Sequence, residues 1–296
     1  MYKSRNLSFI DTVDSCLSNG VKNEVFHLTT EDDFLDGRTI QLNGEKLINF
    51  GSCSYLGLET NERIKQGAIK ATLEQGTQFS SSRLFIQNKL YIEAENLLEQ
   101  IFESPVLLSP TTTLGHMAAI PVLVQDEDLI ILDHQVHGSV QNAVNLIKYR
   151  GVKVEIIRHN DLQELEEIIK RNNTKYNKIW YMIDGVYSMY GDYSPKEEII
   201  NLLEKYENFW VYCDDAHGMS WTGKNGRGYF LGENTIHEHM IVASSLCKAF
   251  GCGGGVLVFP NQELKRRVRT CGSSFTFSGP VQPPILGAII EAAKIH

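Results

Sequence analysis

Lys248 lies in a sequence setting that favours nucleophilic chemistry. It follows the apolar run 240–243 and precedes the glycine-rich stretch 251–255, with no acidic residue near it in the sequence. A lysine shielded from water in such a place loses its proton more readily, and the neutral amine can then attack an aldehyde carbon. The ordinary alternative is a solvated surface lysine, so Lys248 alone leaves both interpretations open.

Asp214 and His217 are two further groups that suit this chemistry. They come directly after the apolar run 209–213, three residues apart. An aspartate there can keep a pyridinium nitrogen protonated, so that the ring becomes an electron sink, and the histidine can hydrogen-bond a phenolic oxygen of that ring. A turn-capping aspartate and a satisfied core histidine are the structural alternatives. Metal ligation by Asp214, Asp215 and His217 is a third, but the spacing is not that of known sites.

These residues follow apolar segments that we predict to be buried strands. Seven short apolar runs alternate with helical patterns, which is typical of an α/β fold with a mostly parallel sheet between helices. The predicted strands are 106–108, 129–132, 154–157, 179–183, 209–213, 240–243 and 256–259. Ligands bind beyond the carboxyl ends of such strands, so the polar residues at those ends are the candidate site residues.

Helical spacing of apolar residues predicts the helices that cover this sheet. One helix runs from Ile64 to Leu73 and stops at Gly76, a second spans 90–101, and further helices span 162–171 and 196–204. Residues 1–45 are predicted to form an N-terminal arm with a hairpin turn at Asn43-Gly44. Residues 46–296 are predicted to form the large domain.

Composition excludes several classes of function. The net charge of −8 argues against a nucleic-acid surface. No apolar run approaches the roughly 20 residues of a membrane span, and the first residues lack the apolar core of a signal peptide. The six cysteines form neither a disulfide framework nor paired zinc spacing. We therefore expect a cytoplasmic enzyme that binds no metal.

A series of motifs occurs in a recognisable order. The motifs are NFGSCSYLGL at 49–58, HND at 159–161, VYSMYGD at 186–192, DDAHG at 214–218, GKNGRG at 223–228, SSLCK at 244–248 and Phe277-Ser278. The series resembles the α-oxoamine synthases, pyridoxal-phosphate (PLP) enzymes in the class II aminotransferase group. The resemblance implies fold type I, the aspartate aminotransferase-like fold.

The resemblance implies a role for each residue around the cofactor ring. Lys248 carries PLP as the internal aldimine, Asp214 pairs with the pyridine nitrogen, and His217 pairs with the phenolic oxygen. His137 stacks on the face of the ring, and Ser188 lies near the cofactor oxygen and the lysine. The expected catalytic residues are Lys248, His137, Asp214 and His217.

The resemblance also implies a site for the cofactor phosphate. Ser245 and the backbone amides around Thr111 and Thr112 bind it, and the start of the predicted helix at these threonines suits an anion. Ser278 reaches the phosphate of the neighbouring subunit. This last role implies a homodimer with shared active sites.

The reaction that the resemblance implies is condensation of an amino acid with an acyl-CoA. The amino acid displaces Lys248 from PLP and loses its α-proton or carboxylate, and the quinonoid carbanion attacks the thioester. The freed Lys248 shuttles the proton. One alternative is an aminotransferase, although those enzymes usually have an aromatic ring in the place of His137. The other is a catalytically inactive subunit or fragment.

The sequence departs from the family pattern on the substrate side of the site. Cys53 replaces an asparagine that contacts the substrate amino acid, and the segment 78–83 keeps Arg83 but lacks the usual glycines. Thr111 and Thr112 replace a glycine and an aromatic residue, and 86–91 lacks the usual threonine and histidine. Family members normally continue into a small C-terminal domain that supplies a carboxylate-binding arginine. We expect this chain to be a fragment from which that domain is largely missing; the alternative is a shortened relative of the family.

Overall fold

The computed structural model describes residues 5–296, which form two compact units, one ending at Ser52 and the other spanning Cys53–His296. The helices are α1 (Arg5–Lys22), α2 (Glu62–Gln75), α3 (Leu90–Phe102), α4 (Thr112–Leu123), α5 (Gly138–Asn145), α6 (Leu162–Asn172), α7 (Lys196–Lys205), α8 (Gln262–Cys271), α9 (Ser273–Phe277) and α10 (Pro283–Ala293). The strands are β1 (Thr39–Leu42), β2 (Glu45–Ile48), β3 (Val106–Ser109), β4 (Leu129–Asp133), β5 (Lys153–Ile157), β6 (Ile179–Asp184), β7 (Val186–Tyr187), β8 (Asp192–Tyr193), β9 (Phe209–Asp214), β10 (Met240–Ser245) and β11 (Gly255–Val258).

The first unit contains the predicted hairpin. Strands β1 and β2 pair antiparallel, with Leu42 opposite Glu45. Asn43 and Gly44 between them have φ values of 51° and 76°. Two successive positive φ angles are those of a type I′ turn, whose twist matches that of the flanking strands. The Asn-Gly prediction is confirmed, whereas the predicted domain division after residue 45 stays a prediction.

A seven-stranded sheet forms the centre of the second unit. Its strand order is β3-β11-β10-β9-β6-β4-β5, and β11 is the one strand of this sheet that pairs antiparallel with both neighbours. All seven strands coincide with the predicted apolar runs to within two residues at either end. The prediction of a mostly parallel sheet between helices is confirmed.

Apolar side chains fill both faces of this sheet, which explains why its strands are continuous apolar runs. Along β9, for example, Val211 and Cys213 belong to one core cluster while Tyr212 belongs to the other. Helices α2, α3, α6, α7 and α10 pack on the first face, and α4, α5 and α8 cover the second. Within residues 5–296 no helix combines the length and hydropathy of a bilayer span.

Two glycines allow α2 and α10 to cross in close contact. A Cβ placed on Gly67 would lie 2.5 Å from the carbonyl oxygen of Gly287, and a Cβ on Gly287 would lie 2.3 Å from that of Gly67. Real Cβ atoms do not approach a backbone atom so closely, so both positions require glycine. The crossing fixes α10 against the face of the sheet that it covers.

Candidate active site

One cavity lies where the predicted site residues meet. Its volume is about 250 Å³. Predicted site residues in its lining are Thr111, Thr112, His137, Asp214, His217, Ser245 and Lys248. The other lining residues are Thr113, Ser139, Asp184, Ala216 and Cys247. These residues come from the carboxyl ends of β6, β9 and β10 and from the starts of α4 and α5, as expected for an α/β sheet.

The start of α4 forms one end of this cavity. Thr111 is the N-cap, and its side-chain oxygen accepts a hydrogen bond from the backbone N–H of Leu114. Gly255 of β11 lies so close that a Cβ on it would be 2.5 Å from the backbone nitrogen of Thr112. Ser245 lies on the antiparallel neighbour of β11, directly paired with Gly255. Unpaired N–H groups and hydroxyls at a helix N-terminus form a site for an anion such as phosphate.

Lys248 follows β10 and is half-buried in the pocket wall. Burial lowers the pKa of its ammonium below the ordinary value, although the charge of Asp214 opposes the shift. A lowered pKa increases the neutral, nucleophilic fraction of the amine. The lysine therefore has the environment that the sequence suggested.

Two carboxylates lie side by side at the deep end of the cavity. Asp184 ends β6 and Asp214 ends β9, and the two residues are direct partners in the parallel ladder. Burial and the charge of Asp214 raise the pKa of Asp184 far above its ordinary value. Burial also disfavours the ionised form of Asp214, but attraction to His116 and Lys248 outweighs it, so the pKa of Asp214 is lowered. Asp214 thus carries the negative charge while Asp184 holds a proton.

Asp214 has two further fixed contacts. Its Oδ1 accepts a hydrogen bond from the backbone N–H of Ala216 at 3.1 Å. Its Oδ2 lies 2.9 Å from Nε2 of His116, a fully buried residue of α4. The carboxylate is therefore held in one orientation.

His217 lies at the mouth of the cavity. Burial and the charge of Lys248 lower its pKa to about 4, so the imidazole is neutral at neutral pH. The hydroxyl of Tyr55 is 2.7 Å from Nδ1 of His217, and Trp221 donates its indole N–H to the His217 carbonyl at 2.5 Å. The first contact orients the ring, and the second holds the backbone of His217.

His137 is the N-cap of α5 and has an exposed side chain. Its Nδ1 lies 2.6 Å from the hydroxyl of Ser139, and its backbone N–H donates to Oδ1 of Asp184 at 2.9 Å. The imidazole is thereby oriented at the edge of the cavity, beside the carboxylate pair.

Two predicted residues lie outside the lining of this cavity. Ser188 lines two adjoining cavities, one shared with His137 and the other with Tyr55 and His217. Ser278 is the C-cap of α9 and lines neither of them. The expected role of Ser278 involves a second subunit, so its place in a single chain leaves that role a prediction.

Asp215, next to Asp214, has a structural environment that the sequence did not indicate. A Cβ on Gly185, Gly218 or Gly228 would approach its carboxylate to 2.4 Å or less. Burial raises the pKa of Asp215 to about 7, and its Oδ2 accepts the backbone N–H of Phe230 at 2.8 Å. Three glycines therefore enclose this side chain, which connects the loop after β9 to the loop around Gly228.

Sequence reasoning missed two residues that shape the site. Asp184 carries a usable signal, because it directly follows the predicted strand 179–183. His116 carries none, because it lies within an apolar helix and its partner Asp214 is 98 residues away. In the part of the chain that the structure describes, no three histidine, cysteine or acidic side chains are grouped to hold a metal ion.

The chemistry of the lining fits a flat aromatic cation that carries a phosphate. The ionised Asp214 can face a ring N–H⁺, the amine of Lys248 can reach a carbonyl carbon, and the start of α4 can hold the phosphate. PLP has all three of these features.

The topology is that of fold type I of the PLP enzymes, the aspartate aminotransferase-like fold. A structure of serine palmitoyltransferase from S. paucimobilis with a bound PLP–myriocin aldimine superposes with a TM-score of 0.87 at 21% identity. The superposition covers 97% of this chain and 72% of that one. The likeness establishes the fold.

The chain belongs to the aminotransferase class I and II family, whose family model matches residues 45–296. The 8-amino-7-oxononanoate synthase of Alkaliphilus metalliredigens is 32% identical over 259 residues, covering 86% of this chain and 64% of that protein. The enzyme of the same name from Petrotoga mobilis is 34% identical over 265 residues, covering 88% and 65%. The chain thus spans slightly less than two thirds of the length of these relatives.

Proposed function

We propose that this protein is a PLP-dependent acyltransferase that condenses an amino acid with an acyl-CoA. The observation that carries the proposal is one cavity that is lined by Lys248, the ionised Asp214 and the start of α4. The relatives named as 8-amino-7-oxononanoate synthase and serine palmitoyltransferase support the reaction type.

Lys248 and Asp214 have the central roles in this proposal. When bound, PLP supplies an electron sink that stabilises negative charge on the α-carbon of an amino acid. Asp214, kept ionised by its neighbours, holds the proton on the ring nitrogen. Lys248, with its lowered pKa, binds the cofactor and moves the proton at the substrate α-carbon.

His217 and His137 orient the ring. Because the His217 imidazole is neutral, the Tyr55 hydroxyl can donate to its Nδ1, which leaves the proton on Nε2. The Nε2–H is then free to donate to the phenolic oxygen. His137 covers one face of the ring, fixed by its contact with Ser139.

Thr111, Thr112 and Ser245 hold the phosphate. Thr112 and Thr113 supply backbone N–H groups at the start of α4, and the helix dipole favours the anion. Ser245, paired with Gly255 beside the start of α4, supplies a hydroxyl. Ser188 acts from the adjoining cavity.

A second cavity favours an acyl substrate over a simple aminotransferase reaction. It has a volume of about 390 Å³ and shares His217 with the first cavity. Its walls include Leu56, Val186 and Trp221, which offer apolar contact to a carbon chain. The acyl group is proposed to lie there.

A homodimer and a cytoplasmic location are part of the proposal. Phe85 and Phe277 are 91% and 86% exposed, and large exposed aromatic residues often mark an interface. Ser278, next to Phe277, is proposed to reach the phosphate of the partner's site. All six cysteines are unpaired, which is usual in a reducing compartment.

The test uses the purified protein, PLP and two variants. Wild type should develop the visible absorbance of lysine-linked PLP, and mixtures of amino acids with acyl-CoAs should release free CoA thiol. Lys248→Ala should lose both signals, whereas the exposed control Lys148→Ala should keep both. Formation of a keto acid from the amino acid without CoA release would identify an aminotransferase. Absence of the visible band in wild type would refute PLP binding itself.

A further inference from the structure

Asp214 is held by a buried chain of polar groups that does not line the cavity. His116 Nε2 lies 2.9 Å from Asp214 Oδ2, and His116 Nδ1 lies 2.8 Å from the hydroxyl of Tyr212. His116 and Tyr212 are both 0% exposed. Tyr212 and Asp214 are two residues apart on β9, so both point to the face of the sheet that α4 covers.

Hydrogen-bond donors and acceptors match along the series Asp214, His116 and Tyr212. A carboxylate only accepts, so His116 carries its proton on Nε2 and donates it to Asp214. The hydroxyl of Tyr212 is the partner of Nδ1, and a hydroxyl can either donate to this nitrogen or accept from it. Every polar atom of the imidazole thereby has a partner, which is what a polar group in an apolar core requires.

We propose that His116 is a positioning residue that keeps the carboxylate of Asp214 ionised and aimed at the cofactor ring, with Tyr212 fixing the imidazole. The inference rests on the proposed PLP site. His116 lies in the second turn of α4, the helix whose start forms the phosphate end of the cavity. The same helix therefore holds both ends of the cofactor site, through its N-terminal amides and through Asp214.

Other groups around Asp214 carry charge or titrate, and they must stay unchanged in the test. They are Lys248, His137, His217, Asp184 and Asp215. Within residues 5–296, the His116 ring hydrogen-bonds to Tyr212 and Asp214 and to none of these groups, so a substitution at His116 acts on them through Asp214.

The experiment compares variants of the full chain with PLP as the probe. His116→Leu removes both ring nitrogens, His116→Gln restores an amide donor, Tyr212→Phe removes the hydroxyl, and Asp214→Asn removes the charge. Tyr91→Phe is the control, because Tyr91 is a buried tyrosine whose hydroxyl accepts the backbone N–H of Val281 away from the cavity. The readouts are PLP affinity by fluorescence, the pH midpoint of the visible band, and the melting temperature of the PLP-free protein.

We expect His116→Leu to bind PLP about 10- to 100-fold more weakly, the effect of losing a hydrogen bond to a charged group. Its pH midpoint should move in the same direction as that of Asp214→Asn. His116→Gln should recover most of the affinity, and Tyr212→Phe should show a smaller shift of the same sign. If His116→Leu does not fold, His116→Gln and Tyr212→Phe still test whether His116 positions Asp214. Tyr91→Phe should leave affinity and midpoint unchanged.

Two results would separate failure of this inference from failure of the proposed function. A His116→Leu protein that melts lower but keeps wild-type affinity and midpoint, while Asp214→Asn changes both, would show that His116 only fills the core. A wild-type protein that binds no PLP would instead overturn the cofactor proposal, and the inference with it.

Discussion

Gly255 offers the sharpest test of the phosphate end of the cavity. A Cβ at this position would lie 2.5 Å from the backbone nitrogen of Thr112, 2.6 Å from its Cα and 2.9 Å from the carbonyl carbon of Thr111. All three are backbone atoms at the start of α4, so they cannot turn aside as a flexible side chain could. Gly255→Ala must therefore displace either the helix start or β11.

The size of the displacement follows from these distances. Ordinary van der Waals contact begins at 3.4 Å, so the Thr112 nitrogen must move by about 0.9 Å. N–H···O hydrogen bonds span only about 2.7–3.2 Å, so such a shift breaks a bond from this N–H to a phosphate oxygen. Alanine is intrinsically preferred to glycine by about 0.5–1 kcal/mol within a strand. Overpacking costs about 1–3 kcal/mol, and we expect the overpacking to prevail.

The assay measures PLP affinity by fluorescence titration and the stability of the PLP-free protein by thermal unfolding. We expect Gly255→Ala to bind PLP at least about tenfold more weakly, which corresponds to about 1.4 kcal/mol. Gly51→Ala is the control, because its nearest neighbour is a side-chain oxygen at 3.6 Å. A Gly255→Ala protein with wild-type affinity would refute the assignment of the phosphate to the start of α4.

Two further predictions concern stability. Alanine is favoured over glycine in a helix by about 1 kcal/mol. A Cβ on Gly67, however, would lie 2.5 Å from the Gly287 carbonyl oxygen, so Gly67→Ala should lower the melting temperature. A higher melting temperature would show that α2 and α10 can move apart to accommodate the methyl group. His159 lies 2.9 Å from both Asp133 and Asp192; burial lowers its pKa, but these contacts outweigh burial and raise it above 6.5. The stabilisation by protonated His159 is therefore complete below pH 6.5 and is lost as the pH rises through the raised pKa. Urea unfolding at a series of pH values should show that the difference in the free energy of unfolding between wild type and His159→Gln shrinks over that range. A difference that does not change with pH would contradict this prediction.

The sheet could be predicted from the sequence because its strands, apart from the edge strand β5, are apolar on both faces. The predicted runs nonetheless end before the residues that matter most. Strands β6, β9 and β10 extend to Asp184, Asp214 and Ser245, since backbone pairing continues after the apolar pattern stops. Asp184, Asp214 and Ser245 are thus the last residues of their strands, whereas His217 and Lys248 lie in the segments that follow.

The contacts that orient the site could not be predicted in this way. Tyr55 and His217 are separated by 162 residues, and His116 and Asp214 by 98. Pattern and propensity describe neighbours in the sequence, whereas these pairs form only when helices and loops pack on the finished sheet. The resemblance indicated which residues face the cofactor but not which residues hold them.

The electrostatics of the cavity explain why it accepts a PLP-like molecule in one orientation. At one end Asp214 keeps its negative charge, while burial, together with that neighbouring charge, raises the pKa of Asp184 so that it holds a proton. At the other end the start of α4 presents partial positive charge. His217 is neutral, so it adds no charge between the two ends. A ligand with a cationic ring nitrogen and an anionic phosphate matches this polarity in one direction only.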